Sequence, residues 1–149
     1  MNEPRILNTG GCLCGAIRYE ARGAPTVMGH CYCADCRKAS GSGFIPFMGY
    51  ASSALRFTGE PRQHSIKSAS GRYAIRNYCG NCGGLVFGGV IGKSQSFTIY
   101  AGSLDDPTFF QPAIAIFTRR RPQWALIPTG LTEFEGLPTQ YPSGSSDAR

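Results

Sequence analysis

The sequence has no long hydrophobic run. No stretch approaches the ~18 apolar residues that a membrane helix needs, so no membrane association is expected. Charge is scarce too: charged residues fill 16% of the 149 positions, below the usual share of about 25%. Hydrophobic residues fill 42%, which excludes a wholly disordered chain. The start, Met1-Asn2-Glu3-Pro4-Arg5, lacks an apolar segment, so no signal peptide is expected and the expected location is cytoplasmic. Helical periodicity is nearly absent. With 20 Gly and 10 Pro the chain turns often, which argues against a helical bundle. There is no internal repeat and no linker. The length fits one domain, expected over residues 1–138, with a frayed Ser-, Gly- and Pro-rich tail at 139–149.

Most segments read as short strands. Ile17 and Tyr19 alternate with Arg18 and Glu20. Tyr73 and Ile75 alternate with Arg72, Ala74 and Arg76, and Phe97, Ile99 and Ala101 alternate with Thr98 and Tyr100. Period two over four to six residues is the mark of a half-buried strand. Further strands are expected at 26–30, 44–50, 62–66, 85–87 and 113–117. Turn signals such as Gly10-Gly11, Gly59-Glu60-Pro61 and Gly88-Gly89 separate them. The best helix is short, at 35–40, and Gly41 stops it. The expected fold is mainly β.

Cysteine is the informative residue. There are 7, an odd number, so full disulfide pairing would leave one over. A cytoplasmic setting disfavours disulfides in any case. The cysteines fall in three groups: Cys12-Leu13-Cys14, Cys31-Tyr32-Cys33-Ala34-Asp35-Cys36 and Cys79-Gly80-Asn81-Cys82. Such spacing suits a soft divalent metal, Zn²⁺ first. In a strand, residues i and i+2 share a face about 6.6 Å apart, so C-x-C can present two sulfurs to one ion. C-x-x-C does the same from a tight turn, and Gly83 permits the left-handed residue that such a turn tends to need.

Seven divides as four plus three. Two pairs close a four-coordinate structural site, and the contiguous triple leaves one position open, the mark of a catalytic metal. The economical division is Cys12, Cys14, Cys79 and Cys82 on one ion and Cys31, Cys33 and Cys36 on the other. Spacing alone also allows one structural zinc with three spare or redox-active thiols. Iron–sulfur spacing is not matched. Two filled sites change the charge as well. The formal net charge is +6; seven thiolates on two divalent ions bring it to +3. Basicity is then a poor argument for nucleic acid, and none is expected as a partner.

Other residues say less. His30 precedes Cys31, so its side chain should leave the ligand face. His64 reads as a surface residue on a strand. Trp124 reads as a core plug sooner than a pocket wall. Arg37 and Lys38, and Arg119-Arg120-Arg121, are candidates to meet substrate carboxylates.

The three cysteine groups, read as Gly11-Cys12-Leu13-Cys14-Gly15, Cys31 through Gly41, and Tyr78 through Gly83, resemble the glutathione-dependent formaldehyde-activating enzyme family. Gly102-Ser103-Leu104-Asp105-Asp106-Pro107, Pro122-Gln123-Trp124 and Gly136-Leu137-Pro138 agree with it, so the resemblance spans about residues 10–138. It implies an Mss4-like fold of small twisted antiparallel sheets braced by zinc. It implies a structural zinc on Cys12, Cys14, Cys79 and Cys82 and a catalytic zinc on Cys31, Cys33 and Cys36. The implied activity is that of a carbon–sulfur lyase, forming S-hydroxymethylglutathione from formaldehyde and glutathione or acting on a related small thiol and aldehyde. Tyr32 and Gly84 depart from the family's usual His and Thr or Ser. Mss4-like folds also include partner-binding modules and methionine sulfoxide reductases. A module needs only the four-cysteine zinc, and a reductase needs a thiol free of metal.

Overall fold

The computed structural model describes residues 6–68 and 71–139. Within them the chain is mainly β, with eleven strands in two sheets and one α-helix. The expected tail at 139–149 lies outside the described residues, apart from Thr139. No described helix is long and apolar enough to cross a membrane.

The smaller sheet joins β1 (Leu7–Gly11), β2 (Arg18–Arg22) and β5 (Leu55–Thr58), in the order β1-β2-β5. The larger has eight strands. In spatial order they are β11 (Thr132–Glu133), β10 (Ile114–Ile116), β3 (Val27–Cys31), β4 (Ile45–Ala51), β9 (Ser96–Tyr100), β8 (Leu85–Gly88), β7 (Tyr73–Tyr78) and β6 (Arg62–Lys67). Its pairings are antiparallel except that β10 runs parallel to β3 and to β11, which period-two reading could not foresee.

The register sorts the large sheet into two faces. Cys31 pairs with Ile45, Phe47 with Tyr100, Thr98 with Gly88, and Gly88 with Arg76. Side chains alternate along a strand, so these residues share one face. The next residue along each strand gives Met48, Ile99, Phe87 and Asn77 on the opposite face. That opposite face packs on Tyr19, Ala21 and Leu55 of the small sheet to form the main core. Phe57 stacks on Phe87 with centroids 4.3 Å apart, and Phe97 sits beside both. Burying each such side chain contributes about 1.5–3 kcal/mol.

Three expectations change. Gly10-Gly11 is the end of β1 and not a turn, because the ring of Tyr19 and the Ser103 carbonyl occupy the space a Gly10 side chain would need. Trp124 is not a core plug; it is 70% exposed and lies against Gly43. On β7 the alternation does not separate buried from exposed: Tyr73 is 69% exposed, while Arg76 and Asn77, on opposite faces, are both buried.

The helix α1 spans Ala34–Ser40, one residue longer than expected. Cys33 caps its start with an extended backbone, and its sulfur accepts the Cys36 N–H. Gly41 closes it in the left-handed region, at φ 68°.

Candidate metal centres

The seven cysteines are free thiols and form two separate clusters. The sulfurs of Cys12, Cys14, Cys79 and Cys82 lie within 4.8 Å of one another, as do those of Cys31, Cys33 and Cys36.

In the first cluster, Cys12 and Cys14 come from the turn between β1 and β2, not from a strand as the C-x-C spacing suggested. Cys79 and Cys82 come from the turn between β7 and β8. Gly83 has φ 77°, and its N–H closes that turn on the Cys79 carbonyl at 2.8 Å, as Gly at this position predicts. Cys14 Sγ lies 3.7 Å from both Cys12 Sγ and Cys79 Sγ. Tetrahedral bonds of about 2.3 Å space sulfurs by about 3.8 Å, whereas a disulfide needs about 2.05 Å. The sulfurs also receive N–H donors, as metal-bound thiolates do. Ile17 N–H donates to Cys12 Sγ at 3.2 Å, Asn81 N–H to Cys79 Sγ at 3.3 Å, and Asn81 Nδ2 to Cys14 Sγ at 3.3 Å. The donor set and its spacing fit a tetrahedral zinc.

The second cluster sits at the end of β3 and the start of α1. Cys31 ends the strand, Cys33 is the helix cap and Cys36 is in the first turn. Local geometry thus gathers all three within six residues. Hydrogen bonds from Cys31 and Cys36 hold the Cys33 thiol well below its usual range, and the Cys36 N–H and Arg76 add to this. Hydrogen bonds with Cys33 and Cys36, together with burial, push the Cys31 thiol well above it. One thiolate is therefore easy and three together need a cation.

A cleft of about 420 Å³ opens on the same face of the large sheet. Cys31 and Cys36 line one part of it, and Phe47, Thr98, Tyr100 and Arg76 line its floor and wall. Gly88, between Thr98 and Arg76, leaves space for the Tyr100 hydroxyl, which a side chain there would crowd at 3.2 Å. Burial pushes the Tyr100 phenol up from its ordinary range. None of the four-cysteine residues lines this cleft.

Taken whole, the pattern is that of one family: its description, glutathione-dependent formaldehyde-activating enzyme, matches residues 7–120. The chain belongs to this family. The family match includes all seven cysteines and ends before Pro122-Gln123-Trp124. A crystal structure of a Rhodobacter sphaeroides protein matches with TM-score 0.49 and 19% identity, covering 65% of this chain and 87% of that one. No curated protein matches the chain.

The lesser candidates are placed differently. His30 is buried away from the sulfurs, stacked on Phe44 at 4.2 Å, with Nδ1 3.3 Å from the Tyr32 hydroxyl. His64 is exposed on β6. Arg119 pairs with Glu135 at 3.0 Å, and Arg121 donates to the Ala125 carbonyl at 3.1 Å. None of Arg37, Lys38 or Arg119–Arg121 lines the cleft. The basic residues that do are Arg72 and Arg76. Sequence reading missed Arg76 because an arginine on an alternating strand reads as solvent-facing; a buried ligand cluster facing it is invisible until the sheet is assembled.

Proposed function

We propose that this protein joins a small thiol, glutathione first, to formaldehyde, acting as a zinc-dependent carbon–sulfur lyase that can also run the reverse cleavage. The observation that carries the reading is the position of the three-cysteine cluster. It opens on the cleft, while the four-cysteine cluster does not.

In this reading Cys12, Cys14, Cys79 and Cys82 hold a structural zinc, and Cys31, Cys33 and Cys36 hold a catalytic one. Bound there, the second zinc supplies a Lewis-acid position for a soft fourth ligand such as a substrate thiolate. The protein's own residues supply the rest. Phe47 and the strand backbone around Gly88 give a narrow wall that brings thiol and aldehyde together. The half-buried Tyr100 keeps its proton and offers an O–H into the cleft, where the aldehyde oxygen gains charge. The sulfur attacks the carbonyl carbon and an S–C bond forms. The C=O π pair moves to oxygen, which takes up the proton the thiol has lost. Membership of the family supports glutathione and formaldehyde as the substrates.

The test is the rate of adduct formation by zinc-loaded protein against an enzyme-free blank, since thiol and formaldehyde also combine unaided. The expected result is a rate above the blank, with two zinc ions per chain. Cys33→Ser should return one zinc per chain and the blank rate. Wild-type protein that never exceeds the blank would refute the reading.

A further inference from the structure

We propose that Arg76 is a positioning residue: it is the fixed counter-cation of the three-cysteine cluster and sets how tightly that cluster holds its metal ion. The inference rests on the assignment of a metal to Cys31, Cys33 and Cys36 made above.

Arg76 is 8% exposed, in the middle of β7 between His64 and Gly88. A guanidinium is always charged, and a buried charge needs a partner. No carboxylate supplies one. The ion pairs among the described residues are Arg18–Asp105, Arg22–Glu20 and Arg119–Glu135, and no described Asp or Glu lines the cleft. Nη2 instead points at Cys36 Sγ, 3.6 Å away. Nε is buried with no hydrogen-bond partner among the described residues. The side chain's neighbour within hydrogen-bond reach is the Cys36 sulfur, which carries negative charge when the cluster holds a metal ion.

Charge explains why a cation belongs there. Three thiolates and a divalent ion leave one negative charge, and Arg76 cancels it. A substrate thiolate then enters a neutral site and leaves it with one negative charge, not two. The four-cysteine cluster faces the opposite situation. Cys14 is exposed, its sulfurs take neutral N–H donors from Ile17 and Asn81, and water shares its charge. Among the described residues, Cys36 Sγ is the cysteine sulfur that has a guanidinium N–H within hydrogen-bond reach.

The two clusters in one chain make the test self-controlled. Zinc-loaded protein is titrated with a chelator of known affinity, and each site's release is followed separately. In Arg76→Gln one site should weaken by about 10- to 100-fold, the usual loss when a supporting partner of metal ligands is removed. The other site should be unchanged. Arg76→Lys, which keeps the charge, should recover much of the lost affinity. Wild-type affinity at both sites in Arg76→Gln would overturn the proposal. So would equal weakening of both sites, which would assign Arg76 to the fold alone, or an Arg76→Lys as weak as Arg76→Gln. These readouts concern metal affinity alone. A wild-type chain that forms no adduct, yet loses one site's affinity in Arg76→Gln, would refute the enzyme reading and leave this one standing.

Discussion

Individual residues carry both the legible and the hidden parts of this site. The cysteines were legible because metal ligation demands one residue type at short, fixed spacing. Their four-plus-three grouping follows from sequence neighbours for the triple and from counting for the rest, and the folded chain gathers the same groups. Arg76 was not legible, because its role depends on a cluster contributed by a distant segment, Cys31 to Cys36. Gly10 shows the same limit from the other side. Read as a turn, it is a strand residue whose missing side chain makes room for Tyr19, which is 2% exposed and bonds Ser103 Oγ at 2.9 Å through its hydroxyl. An added methyl at Gly10 meets a backbone carbonyl that cannot swing away. Gly10→Ala should therefore cost about 1–3 kcal/mol in chemical denaturation of zinc-loaded protein. An unchanged midpoint would mean that β1 adjusts freely.

At the scale of elements, all eight strands expected from alternation or from segments between turn signals are present, with bounds within two residues. β2 and β9 bury every second residue, whereas β4 is buried on both faces from Phe47 to Tyr50. β1, β5 and β11 escaped notice: β1 is rich in Gly, and β5 and β11 have four and two residues, too few for a period to show. The turns matter more than their length suggests. Cys12 and Cys14 lie on the turn of the small sheet, and Cys79 and Cys82 on a turn of the large one. A metal shared by them staples the two sheets beside their common core, so its binding energy is folding energy. Cys82→Ser should then lower stability by at least about 3 kcal/mol, or roughly 6–12 °C in Tm for a chain of this size. Cys33→Ser should leave Tm within a few degrees, because its cluster lies within one strand-to-helix segment. Equal Tm losses in the two variants would contradict the division of labour.

The whole molecule divides its large sheet between two tasks. One face meets the small sheet and supplies the core; the other carries the cleft, the triple and Arg76. The mainly β character was readable from composition and alternation, since Gly- and Pro-rich turns and period-two runs leave few alternatives. Which face would be the working one was not, because it depends on pairing register across strands far apart in sequence. On that working face the three-cysteine cluster is proposed as an open metal site. Its most direct test is a crystal structure of the zinc-loaded protein grown with glutathione, with anomalous data at the zinc edge. A zinc peak is expected among Cys31, Cys33 and Cys36, with the ligand's sulfur as fourth neighbour on the cleft side. A fourth position filled by a side chain of the same chain, or no zinc among those sulfurs, would contradict it.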